Sequence, residues 1–268
     1  MKRMNYPSVK QAGLFAGLVL CCSFLSGEAA ERPGRILGQD LMKTLSAPAC
    51  FDSRDWLAAG LVAGGAVTLY SLDGEIRDTV QRNRGGTTNA VENIFKSFGR
   101  VETALPAFAL TYAGAAYFGN GKLKEAAGMS LESFIIAGFI FQSVKYLTHR
   151  DRPCENTSPY KWHGPGIYDQ YQSFPSGDAA TAFALLTPVA HVYKDTPLVA
   201  PLAYSAAAFA SLGRLNHNDH WASDVFVGAA LGFFTAKAVI KYRETGGDVA
   251  VIPVISADKQ GVMLTGRF

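Results

Sequence analysis

The stretch that decides the fold is Gly213-Arg-Leu-Asn-His-Asn-Asp-His-Trp-Ala-Ser-Asp224. It joins two apolar runs, Leu198–Leu212 and Ala222–Tyr242, each rich in Ala, Leu, Phe and Gly and too long for an ordinary strand. Both runs are expected to be helices, so the polar dodecapeptide sits where one helix ends and the next begins. Four more runs of the same kind precede them: Trp56–Leu72, Ala104–Phe118, Ala126–Leu147 and Ala179–Tyr193. Asp55 and Asp178 stand before two of these runs as candidate N-caps. Gly119-Asn120-Gly121 and Asp195-Thr196-Pro197 mark breaks. The expected architecture is all-α, a bundle of six helices.

Helix order alone carries two further polar clusters to the same end as the first. Lys145-Tyr-Leu-Thr-His-Arg-Asp-Arg152-Pro153 closes the third helix, and Ser173-Phe-Pro-Ser176-Gly177-Asp178 opens the fourth. In an up-down bundle these clusters and the dodecapeptide lie together. Their chemistry is coherent. Lys145, Arg152 and Arg214 supply three cations. Ser176 and Gly177 offer a hydroxyl and free backbone N–H groups at a helix start, where the dipole favours an anion. His220 can act as a nucleophile, and Asp224, four residues on, can orient its other ring nitrogen. His149, at i+4 from Lys145, reads either as an auxiliary imidazole or as a helix-end cation.

With these residues in place, the sequence resembles the type 2 phosphatidic acid phosphatase (PAP2) and vanadium haloperoxidase superfamily. Its pattern is Lys-x6-Arg-Pro, Pro-Ser-Gly-His and Ser-Arg-x5-His-x3-Asp. Lys145 to Pro153, Pro175-Ser176-Gly177, and Arg214, His220 and Asp224 fit it, while Gly213 stands for the family Ser and Asp178 for the family His. The resemblance implies that Lys145, Arg152, Arg214, Ser176 and Gly177 bind a phosphoryl group. It also implies that His220 forms a phosphohistidine supported by Asp224, and that the phosphatase branch needs no metal or cofactor. The substrate would be a phosphomonoester or a lipid (pyro)phosphate. Asp178 stands at the position of the general acid. It serves as that acid, or leaves hydrolysis slow, or marks a phosphate-binding relic. The haloperoxidase branch, holding vanadate in the same pocket, is the remaining reading.

The rest of the chain sets boundaries. The 268 residues carry 25 Lys+Arg against 22 Asp+Glu, too small a basic excess for a nucleic-acid binder. With 49% apolar and 18% charged residues, disorder is excluded. Residues 1–30 have the layout of an export signal: Lys2, Arg3 and Lys10, an apolar core from Ala12 to Leu25, then small residues. Domains are expected at 1–30 (signal), 31–247 (helical phosphatase) and 248–268, where β-rich runs around Asp258-Lys259-Gln260-Gly261 read as a small hairpin. Cys50 and Cys154 remain after signal removal, either bridged or as two thiols.

Mean hydropathy of +0.09 lies between soluble and membrane proteins. Uncharged windows at 56–72, 103–121 and 196–213 reach the lower limit of about 17 residues for a span. The other three runs are shorter, and Glu132 would be costly in lipid. The expectation is an exported enzyme, periplasmic and globular by preference, with an inner-membrane enzyme whose site faces the periplasm as the close second. Membrane-surface contact is compatible with either, and the sequence carries no oligomeric signal.

Overall fold

The computed structural model describes residues 52–166 and 171–244, helical backbone at Leu41 and Thr44, and two extended runs at 250–256 and 259–265. The expected signal at 1–30 and Cys50 lie outside the described residues. The chain divides into two units, 51–241 and the combination of 1–50 with 242–268. In the second unit, Ala250–Ser256 and Lys259–Thr265 pair antiparallel, with Ala250 opposite Thr265.

The first unit is all-helical. Among the described residues there are seven α-helices, not six: α1 Ser53–Arg82, α2 Gly86–Phe95, α3 Val101–Tyr117, α4 Gly121–Thr148, α5 Gly177–Val192, α6 Val199–Asn216 and α7 Ala222–Glu244. The addition is the short α2, which lies in a polar segment where apolar run length gives no signal.

Local chemistry sets the helix ends. Asp52, rather than Asp55, caps α1: its Oδ1 accepts from the backbone N–H of Arg54 and Asp55 at 2.8 and 2.9 Å. Asp55 reciprocates on the Asp52 N–H at 3.2 Å, completing a capping box. Ser176, rather than Asp178, caps α5, its Oγ accepting from the Ala179 N–H at 3.4 Å. His149 closes α4 in the left-handed region with φ 44°. Helix α1 continues ten residues past Leu72. Its charged tail contains good helix formers, and its first charge, Asp73, is used inside the protein.

Helix α5 is the centre. Ala179, Ala180, Ala182, Ala184 and Leu185 have no exposed surface. It packs against α4 on one side and α6 on the other. Small residues make these approaches close: Ala182, Leu186 and Ala190 meet Ala203, Ala206, Ala207 and Ala210. Helix α7 lies nearer still. A methyl group on Gly228 would overlap the Ser176 carbonyl, and one on Gly232 would overlap that of Ala180. These glycines hold the start of α7 beside the start of α5.

Helices α1, α4 and α7 are long and apolar enough to cross a membrane. Helix α1 is almost wholly uncovered, with Trp56, Leu57, Leu61 and Val67 exposed. Glu132 of α4 is buried within the protein, which removes the objection it raised in sequence. The preference for a globular exported enzyme therefore gives way to a membrane protein.

Candidate active site

The site is assembled around the peptide Gln172–Ser173. Two bridges, Arg150 with Trp162 and Arg150 with Gln172, lay this peptide beside the segment that follows α4. Lys145 Nζ donates to the Gln172 carbonyl at 2.7 Å, and Arg152 Nη2 approaches the same oxygen at 3.4 Å. Two cations seven residues apart thus converge on one point. Arg152 Nη1 reaches the Asp219 carbonyl at 3.4 Å, connecting them to the loop that carries His220.

His220 is buried. Its Nδ1 lies 2.7 Å from the Ser173 carbonyl. A carbonyl only accepts, so Nδ1 carries the proton and Nε2 keeps its lone pair. Burial, followed by the charges of Arg152, Lys145 and Arg214, pushes the His220 pKa well below its ordinary 6.5; the Ser173 bond pulls weakly the other way. The neutral ring, which is the nucleophilic form, is therefore the resting state at neutral pH.

Asp224 was expected to hold that ring nitrogen directly, but the Ser173 carbonyl occupies the position. The carboxylate is committed elsewhere. Its Oδ2 accepts from Ser173 Oγ at 2.6 Å and from the Trp221 N–H at 3.0 Å, and its Oδ1 accepts from Arg150 at 2.5 Å. The Asp224 backbone carbonyl accepts from the Ser176 N–H at 2.9 Å, joining the start of α7 to the start of α5. Asp224 is connected to His220 through Ser173.

Arg214 is engaged on both sides. Its Nε pairs with Asp178 at 2.9 Å, and its Nη2 pairs with Asp219. Asp178 is thus a partner of a phosphate-binding candidate as well as the residue at the acid position. His149 Nδ1 meets the Gly164 carbonyl at 2.9 Å, so this ring ties down the following loop. Gly213, at the family Ser position, lies against Glu92 of α2, which accepts from Asn216 Nδ2 at 2.6 Å.

Lys145, Arg152, Ser176, Arg214, His220 and Asp224 are therefore linked through shared partners, as their order in the chain led us to expect. Sequence reasoning missed Arg150, Asp73, Asp219 and the Gln172–Ser173 carbonyls. Arg150 lay inside a motif already singled out. Asp73 is the first charge after 17 uncharged residues, a position that marks the end of an apolar run and not a site residue.

Three cations, a capped helix start and a neutral buried imidazole gathered by a helical bundle form an arrangement that can hold an oxyanion beside a nucleophile. The family model of the PAP2 superfamily matches residues 126–247. A lipid A 1-phosphatase of Porphyromonas gingivalis is 30% identical over 185 residues, covering 66% of this chain and 36% of that protein. The chain thus spans about a third of the length of this curated relative. Among solved structures, Aquifex aeolicus LpxE is 21% identical with a TM-score of 0.50, over 64% of this chain and 96% of the other. The transmembrane PAP2-type phosphatidylglycerolphosphate phosphatase of Bacillus subtilis is 19% identical with a TM-score of 0.55, over 69% and 94%. Both likenesses concern the fold.

Proposed function

We propose that the protein is a membrane-bound phosphatase that removes phosphate from a lipid phosphate or pyrophosphate through a phosphohistidine on His220. The observation that carries this reading is the 2.7 Å contact of His220 Nδ1 with the Ser173 carbonyl, made beside the charges of Lys145, Arg152 and Arg214. Nε2 attacks phosphorus and the bond to the leaving oxygen breaks. Lys145, Arg152, Arg214, Ser176 and the Gly177 N–H take the charge gathering on the other phosphoryl oxygens. The leaving oxygen needs a proton, and Asp178 stands nearest the family position for supplying it. Water then attacks the phosphohistidine and releases phosphate. The names of the relatives, a lipid A 1-phosphatase and a phosphatidylglycerolphosphate phosphatase, support a lipid substrate. Helices α1, α4 and α7 support a membrane setting, and the site is proposed to face the periplasm. An export signal at 1–30, a catalytic domain at 31–247 and a hairpin at 248–268 belong to the same proposal.

The test is phosphate release from lipid A and from phosphatidylglycerolphosphate by detergent-solubilised protein. Wild type is expected to turn over one of them, and His220→Ala to lose at least about 10³-fold, the nucleophile being irreplaceable. Equal release by the variant contradicts the mechanism.

One observation favours a second reading, an impaired site. Asp178 Oδ2 is engaged by Arg214 Nε at 2.9 Å, so one carboxylate oxygen at the acid position is already held by a cation. Asp178→His separates the two. A gain approaching the ~10²–10⁴-fold typical of general acid catalysis supports impairment; a loss makes Asp178 the working acid.

A further inference from the structure

We propose that Arg150 and Asp73 are positioning residues for the phosphoryl-transfer site, a buried ion pair that holds Asp224 and, through Ser173, the ring of His220. The kinetic part of this proposal rests on the phosphohistidine reading; its geometric part does not.

Arg150, Asp73 and Asp224 have no exposed side-chain surface. The guanidinium is fully used. Nε donates to the Pro159 carbonyl at 2.9 Å, and Nη2 to the same carbonyl at 2.6 Å and to Asp73 Oδ2 at 2.7 Å. Nη1 donates to Ser223 Oγ at 2.8 Å and to Asp224 Oδ1 at 2.5 Å. Three rings surround the cation, Tyr70, Trp162 and Trp221, with centroids 4.9, 5.0 and 5.5 Å away. Asp73 also accepts from the Ser223 N–H at 2.9 Å and from Ser223 Oγ at 2.6 Å. One cation therefore joins α1, the loop after α4 and the first turn of α7.

A buried charge cluster is not an economical way to gain stability, because apolar residues of the same volume do as well. Its distinctive property is fixed direction. The continuation here is a single line of contacts: Arg150 to Asp224 Oδ1, Asp224 Oδ2 to Ser173 Oγ, and the Ser173 carbonyl to His220 Nδ1. Lysine cannot reproduce the planar fork that bonds two carboxylates, a serine and a carbonyl together.

The test compares Asp73→Asn and Arg150→Lys with wild type in the full chain in detergent. The measurements are kcat and KM for phosphate release, affinity for orthovanadate as a tetrahedral phosphate analogue, and the imidazole nitrogen resonances of His220. Misplacing a reacting group by about 1 Å costs about 10²-fold in rate. We expect kcat to fall at least tenfold in Asp73→Asn and further in Arg150→Lys. KM and vanadate affinity should stay within about twofold, because Lys145, Arg152 and Arg214 are untouched. The Nδ1–H tautomer of His220 should give way to exchange between tautomers. Asn is isosteric with Asp, so Asp73→Asn carries the test if Arg150→Lys fails to fold. An unchanged kcat and tautomer with only a lower unfolding temperature overturns the proposal, as does a parallel loss of kcat and vanadate affinity. If wild type releases no phosphate, the phosphohistidine reading fails, and the tautomer measurement still decides the positioning role.

Discussion

His220 is the residue on which the proposed chemistry turns, and its environment makes a definite statement about protons. Burial and three nearby cations depress its pKa well below 6.5. As pH falls through 6.5, an ordinary histidine takes up a proton, whereas this one stays neutral. Its imidazole resonances should therefore be flat across pH 6.5 and move only at lower pH; a midpoint at or above 6.5 would contradict the buried cationic setting. The convergence of Lys145, Arg152, Ser176, Arg214 and His220 was legible because each belongs to a short spacing at a helix end. The direct Asp224–His220 contact was expected from i+4 geometry and is absent, because Trp221, Ser173 and Arg150 already use the Asp224 oxygens. Asp73 was illegible as a site residue, since its partner Arg150 lies 77 positions away and no local pattern joins them.

Among the elements, the crossing of α5 and α7 places the site. Gly228 and Gly232 lie where any side chain would meet the Ser176 and Ala180 carbonyls. Gly228→Ala and Gly232→Ala should each destabilise the protein by about 1–3 kcal/mol, the usual cost of overpacking, seen as a lower unfolding temperature in detergent. Gly228→Ala should also reduce turnover more than Gly232→Ala, because it displaces Ser176. Equal stability of both variants with wild type would mean the helices do not approach as described. Apolar run length found six of the seven described helices but misjudged α1, which continues through Asp73 to Arg82, and it did not mark α2. Charged residues that face the protein interior look, in sequence, like the end of a helix.

For the whole molecule, mean hydropathy left the membrane question open because it averaged buried, lipid-length and polar segments. The resolving fact is three-dimensional: α1 exposes Trp56, Leu57, Leu61 and Val67, while the charge on α4 that argued against lipid, Glu132, is turned inward. The apolar part of α1, residues 56–72, is about 26 Å long at 1.5 Å per residue, which meets the lower limit of about 17 residues for a span. The full-length protein should stay in the membrane fraction through an alkaline carbonate wash and need detergent for extraction; recovery as detergent-free soluble protein would return the globular reading. The central claim, covalent catalysis by His220, is tested most directly by rapid quenching with a radiolabelled lipid phosphate followed by peptide mapping. The account predicts an acid-labile, base-stable label on the peptide carrying His220 and none in His220→Ala. Undiminished phosphate release by His220→Ala, with no label at that position in wild type, would contradict it.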